Sequence, residues 1–164
     1  LYSLASTLRA GGLAERSEVL AADRRPVPAE VAAQLGIAAS AEAVFVERLR
    51  FADDEPIAHN RSWLPAPLAT GLLDADLTSG SLYELLGRRS VRITGVWERI
   101  RPVVPDPAER RLLRLPRTEA AFSVERLVRA GDTVIEWRTS LIRGDRYSMV
   151  TQWPNGAQPR PDLG

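Results

Sequence analysis

The stretch "VERLRFADDEPIAHNRSWLP", Val46–Pro65, holds two runs of bulky residues joined by the acidic triplet Asp53, Asp54 and Glu55. Such runs around a polar corner predict a β-hairpin, from about Ala43 to Leu64. Side chains alternate along a strand, so Val44, Val46, Arg48 and Arg50 share one face. The register across the corner stays open. A two-residue loop, Asp53-Asp54, sets His59 opposite Arg48, whereas a three-residue loop, Asp53 to Glu55, sets Asn60 there. A slip of one residue turns the whole strand over.

The same letters return further along. "VERL" occurs at Val46–Leu49 and at Val124–Leu127, an offset of 124 − 46 = 78. Without a gap, that offset also sets Leu35 on Leu113, Ala52 on Ala130, Asp54 on Asp132, Ile57 on Ile135 and Ser62 on Ser140. The pattern predicts an internal duplication. Each copy reads as a strand ending in proline ("SEVLAADRRPVP", "RITGVWERIRPVVP"), then a short helix ("AEVAAQLG", "DPAERRLLRL"), then a hairpin. Proline near each helix start is harmless, because the first turn has N–H groups without helical partners anyway. The second hairpin runs from about Ala120 to Arg143 around Gly131-Asp132, a good turn pair. Outside the copies, Leu1, Leu4, Ala5 and Leu8 predict one helix face ending at Gly11-Gly12. "SGSLYELLG" predicts another helix, with Ser81 and Glu84 at capping-box spacing and Gly87 as the stop. A last short strand is expected over Arg146–Trp153, before a Pro- and Gly-rich tail. The sum is an α+β domain: one largely antiparallel sheet of about six strands, helices packed on it, and pseudo-duplicated halves.

Composition narrows the functions. The 164 residues suit a single domain spanning 1–164, 45% of them apolar and 26% charged. No run approaches the ~20 apolar residues of a membrane helix, so a cytoplasmic, membrane-free protein is expected. The chain opens on Leu1, which leads us to expect a domain of a longer protein. Net charge is +1, too little to draw the chain onto nucleic acid by its overall field. Every one of the 22 basic residues is Arg, so any single arginine carries little weight by itself. Cysteine is absent and His59 is the only histidine. Thiolate chemistry and histidine-rich metal sites are thereby excluded, and no cofactor is implied. No carboxylate pair, nucleophile elbow or glycine-rich phosphate loop occurs. As an enzyme signature the chain is nearly silent.

The candidate residues lie on the strands and on one helix start. Arg48 and Arg50 extend an apolar face, where two guanidinium groups need negative partners. Those partners are either carboxylates such as Glu136 or Glu125, or an external carboxylate or phosphate held by the planar forks. In the second copy Arg48 falls on Arg126 but Arg50 on Val128, an asymmetry that favours a ligand. Ser81 and Tyr83 read as a cap and a packed aromatic, or as part of an anion site at a helix start. Glu136 lies mid-strand between Ile135 and Trp137, where a carboxylate ordinarily faces solvent but can accept bonds from a hydroxyl or amine. Asp145 is expected to serve a turn through backbone N–H groups, and His59 to pack or sit on the surface.

Taken in order, "SEVLAADRRPVPAEVAAQLGI", "VERLRFADDEPIAHNRSWLP", "SLYELL" and "VIEWRTSLIRGDRY" resemble the UTRA domain, the effector-binding half of GntR-type transcription regulators of the HutC subfamily. The resemblance runs from Gly11 to about Val150. It implies a chorismate lyase-like fold, a homodimer, and an upstream winged helix-turn-helix that binds operator DNA and is absent from this chain. It further implies that Arg48 and Arg50 hold an anionic group, that Ser81, Tyr83 and Glu136 join them, and that a backbone contact lies near Val134. Two positions depart from the family pattern. Asn60 stands where a glutamate is expected, and Ile142 where a tyrosine is expected. The departures imply a different or less hydroxylated ligand, still anionic. The resemblance also favours the three-residue turn, with Asn60 beside Arg48.

The function expected from the sequence is therefore sensing of a small anionic metabolite, such as a sugar phosphate, phosphonate or carboxylate, without catalysis. The alternative is a lyase-like enzyme acting on an unsaturated or aromatic carboxylate.

Overall fold

The β-branched and aromatic runs form strands in the computed structural model, which describes residues 11–88 and 91–149. The order is β1 (Glu15–Pro26), α1 (Ala29–Leu35), β2 (Glu42–Ala52), β3 (Glu55–Pro65), α2 (Leu82–Gly87), β4 (Gly95–Val103), α3 (Pro107–Leu112), β5 (Ala121–Ala130) and β6 (Thr133–Arg143). The strands make one antiparallel sheet in the order β1-β2-β3-β6-β5-β4. The helix expected over Leu1–Leu8 lies outside the described residues. The strand expected over Arg146–Trp153 is not seen in its described part: Gly144–Arg146 turn, Tyr147–Met149 are irregular, and the remainder lies outside the described residues.

The duplication is real in three dimensions. Ala29 and Pro107 open α1 and α3, Glu55 and Thr133 open β3 and β6, and Pro65 and Arg143 close them, each pair 78 apart. β3 and β6 meet at the centre with Arg61 opposite Thr139, and 139 − 61 = 78. A pseudo-twofold axis therefore passes through that pair, and each half supplies three adjacent strands.

Both hairpins solve their register in the same way. The first turn is two residues, Asp53-Asp54, with Ala52 opposite Glu55 and Phe51 opposite Pro56. Ile57 is then extra, so Arg50 pairs with Ala58 and Arg48 with Asn60. The three-residue turn is thus corrected to a two-residue turn plus a β-bulge, which restores the same Arg48–Asn60 pairing. In the second hairpin Ala130 faces Thr133 and Val128 faces Glu136, leaving Ile135 extra. Asp53 (φ 53°) and Gly131 (φ 59°) hold the same left-handed turn position. Aspartate tolerates that conformation better than most residues, and glycine enters it without steric cost.

The sheet buries both faces unequally. One face carries Val44, Val46, Leu64, Val128 and Ile135 under α2 and the preceding loop, through Ala69, Leu72, Leu77, Leu82, Tyr83 and Leu86. The other face packs Ala43, Val134 and Trp137 under Val31, Ala32 and Leu35 of α1, and Leu49 and Phe51 under Leu113 and Leu115 after α3. Helix ends follow local chemistry. Asp106 and Glu109 form a reciprocal capping box at α3, and α1 stops at Gly36 in the left-handed conformation. Ser81 caps α2 by accepting from the Tyr83 N–H at 3.1 Å.

Candidate functional site

Alternation puts a set of polar side chains on the α2 face of the sheet, next to the apolar core. Two neighbouring rungs cross the central strands. The first runs Arg48, Asn60, Ser140, Val124, Ile100; the second runs Val46, Ser62, Arg138, Arg126, Glu98. The pseudo-twofold axis exchanges them, since Arg48 maps on Arg126, Asn60 on Arg138 and Ser62 on Ser140, 78 apart. The difference between Arg50 and Val128 along the strand remains. The second half also brings two buried arginines to this face, Arg126 and Arg138, but by a different route.

A narrow cleft opens on this face, with a cavity volume of about 30 Å³. Of the residues expected at the site, Arg50, Asn60, Ser81 and Ile142 line it, joined by Glu98, Arg126, Arg138, Ser140, Tyr147 and others. Arg48, Tyr83 and Glu136 do not line the cleft but contact the residues that do, or their neighbours. Val134, expected to offer a backbone contact, is not among the lining residues, and its side chain packs under α1 on the opposite face. Arg138, Arg126, Glu98 and Ser140 were missed by sequence reasoning. The signal was present, because the repeat places Arg138 where the first copy has Asn60.

The hydrogen bonding of the cluster is specific. Arg48, 2% exposed, donates through Nη1 to the carbonyls of Leu77 and Gly80, both at 3.3 Å. Arg50 forms an ion pair with Glu15, both side chains 3% exposed, and Glu15 Oε2 also accepts from the Gly80 N–H at 3.0 Å. Among the described residues neither Glu136 nor Glu125 forms a salt bridge with Arg48, although the Glu136 charge acts on it. Glu125 instead accepts from Arg101 at 2.7 Å. Glu136 is fully buried, not solvent-facing as its neighbours suggested, because α2 covers it. Its Oε2 accepts from the Tyr83 hydroxyl at 2.6 Å, and Oε1 lies 4.0 Å from Arg138 Nη1. Tyr83 in turn accepts from Arg126 Nη1 at 3.3 Å, and Arg126 Nε donates to Glu98 at 2.6 Å. The Asn60 Oδ1, Glu136 Oε1 and Arg138 Nε atoms are buried without a hydrogen-bond partner.

Two other expectations resolve here. His59 is buried on the α3 face, its Nε2 2.8 Å from Glu47 Oε1, in a packing role. Asp145 stabilises its turn chiefly through the side chain of Arg143, which donates to both carboxylate oxygens at 2.9 and 2.6 Å.

Electrostatics favour an added negative charge. Burial, and then the neighbouring Arg50 and Arg138 guanidinium groups, push Arg48 down to about 9, while Glu136 and Glu15 oppose the shift. Among the described residues no carboxylate forms a salt bridge with Arg48. Tyr83 is pushed up by burial and by the Glu136 charge, so its hydroxyl stays a donor. The arrangement can bind and orient an anion; Asn60 Oδ1 adds an acceptor for a hydroxyl or amine.

Comparison with known proteins agrees with the fold. The UTRA domain family model matches residues 10–148. The HTH-type transcriptional regulator GgaR of Escherichia coli (strain K12) is 25% identical over 126 residues, covering 76% of this chain and 50% of that protein. The chain thus spans about half the length of the curated relatives it matches. The effector domain of PhnF from Mycobacterium smegmatis superposes with a TM-score of 0.86 at 26% identity, covering 93% of this chain and 94% of that one. The ligand-binding domain of a protein assigned to the GntR family of transcriptional regulators in Bordetella bronchiseptica gives 0.77 at 26% identity, covering 87% and 96%. With a family model spanning most of its length and a matching six-stranded sheet, the chain belongs to the UTRA domain family.

Proposed function

We propose that this domain senses a small anionic metabolite for a transcription regulator of the GntR type, HutC subfamily, and is not an enzyme. In this reading the protein is a cytoplasmic homodimer whose operator-binding domain lies outside this chain. The metabolite enters the cleft and is held by Arg50, Asn60, Ser81, Arg126 and Arg138, with Ile142 against its apolar part. Arg48, Tyr83 and Glu136 support this wall from behind. Binding changes DNA affinity only by the difference in ligand affinity between two arrangements of the dimer.

The observation that carries this reading is the buried Arg48, held by carbonyls alone and beside two more guanidinium groups. A buried cation in like-charged company is unfavourable until an anion joins it. The relatives support the regulatory part, since GgaR is a transcriptional regulator and the Bordetella bronchiseptica structure is the ligand-binding domain of a protein assigned to the GntR family of regulators.

The test is a thermal-shift screen of carboxylates, phosphonates and sugar phosphates, repeated on Arg48→Ala and Arg138→Ala variants. Wild-type stabilisation by an anion that both variants lose is expected. Undiminished stabilisation in both would refute the site. Operator binding of the full-length protein, with and without the hit, then tests the regulatory step.

A further inference from the structure

Resting on that reading, we propose that Glu15 sets the charge of the ligand, so that the site takes a singly charged anion in preference to a doubly charged one. The argument is a balance of buried charge. Four guanidinium groups, Arg48, Arg50, Arg126 and Arg138, are buried on the α2 face of the sheet. Three carboxylates answer them: Glu15 on Arg50, Glu98 on Arg126, and Glu136 near Arg138. One positive charge is left over, and it belongs to the Arg48 corner. Glu84 also approaches Gly80, but its side chain is exposed and its charge is screened by water.

Of the two carboxylates hydrogen-bonded to arginines that line the cleft, Glu15 is the better shielded from water. Its side chain is 3% exposed, whereas that of Glu98 is 26% exposed, and charge acts over longer distances where water is excluded. It also uses both oxygens: one pairs with Arg50 Nη2, the other accepts from the Gly80 N–H. It reaches Arg50 from outside the cleft, since it lines the neighbouring depression with Ser79, Gly80 and Ser81. An incoming anion therefore meets an Arg50 already neutralised. A single negative charge completes the balance, whereas a second has no cation of its own and meets the field of the nearby Glu15 and Glu136.

Methanesulfonate and sulfate test this, because they share a tetrahedral shape and differ by one charge. Each is titrated into the domain at constant ionic strength, and the amide signals of Gly80, Ser81 and Asn60 are followed by NMR. Wild type is expected to show saturable shifts, with methanesulfonate binding at least as tightly as sulfate. Glu15→Gln removes one charge with little change of shape, and should tighten sulfate relative to methanesulfonate about tenfold. Glu98→Gln should move the preference the same way by less, and it stands in if Glu15→Gln does not fold. Saturable binding with an unchanged preference in the folded variants overturns the role of Glu15 and leaves the anion site standing. Linear, unsaturable shifts with both anions in every protein overturn the site and this inference together.

Discussion

Arg48 faces Asn60 across the β2–β3 ladder although the two-residue turn at Asp53-Asp54 would set His59 there. The difference is one residue, Ile57, left out of the ladder by a bulge that recurs at Ile135. Bulges re-aim the side chains beyond them. Here the bulge turns Asn60 into the cleft and His59 onto Glu47 on the opposite face.

Deleting Ile57 should leave the register intact, because Phe51–Pro56, Arg50–Ala58 and Arg48–Asn60 then follow one another as an unbroken ladder. Asn60, Ser62 and Leu64 keep the α2 side, and what is lost is the buried Ile57 side chain and the local twist of the bulge. A cooperative urea transition, destabilised by about 2–5 kcal/mol, is expected. Loss of cooperative folding in the deletion variant would show that the bulge itself, and not only the pairing it restores, is required.

Tyr83→Phe removes the hydroxyl that donates to the buried Glu136. The carboxylate is then left without that donor, at an expected cost of about 1–3 kcal/mol in chemical denaturation. In a double-mutant cycle with Glu136→Gln the two changes should be non-additive, because they share one bond. Simple additivity would mean that the hydrogen bond contributes nothing of its own.

The His59–Glu47 pair predicts a pH effect. Burial lowers the His59 pKa below its ordinary 6.5, against the opposing bond from Glu47. The unfolded chain then binds more protons just below pH 6.5, so stability falls as pH drops through that window and levels off below the folded pKa. Glu47 is held below its ordinary 4.5 by Arg61 and His59, against desolvation, so its contribution is lost only at still lower pH. Melting temperature measured from pH 8 to pH 5 should fall, and His59→Gln should flatten the curve between 7 and 5. A wild-type curve that rises on acidification across that range would contradict the assignment.

Asp106 accepts from the N–H groups of Ala108 and Glu109 at 2.7 and 2.8 Å, while Glu109 reaches back to the Asp106 N–H at 2.9 Å. Asp106→Ala should cost about 0.5–2 kcal/mol. The equivalent position in α1 is Pro28, which has no side-chain cap, so Pro28→Ala serves as the uncapped comparison. Equal small losses at both sites would mean that the box adds nothing.

Much of the candidate site was legible in the chain, because alternation and the offset of 78 are local or self-referential patterns. They put Arg48 and Arg50 on one strand face and named Arg126 as the counterpart of Arg48. They also contained Arg138, although the position two along the strand from Arg126 is Val128. The second arginine of that half lies across the ladder. Glu136 was misjudged for a similar reason: bulky neighbours along a strand say nothing about what covers its face.

The residues by themselves determined the halves, the strand order within each hairpin, the Ser81 cap and the absence of cysteine or histidine-rich chemistry, whereas the helix after Ser81 runs through the expected stop at Gly87. Each of these depends on side-chain type and on spacing of a few residues. Only the tertiary structure decided the ion pairing. Glu15 meets Arg50 because β1 lies against β2, and it meets Gly80, 65 residues away, because the loop before α2 folds back over that edge. Such contacts depend on which surfaces the packed core brings together. Spacing along the chain does not encode them, and the charge of the cleft depends on them.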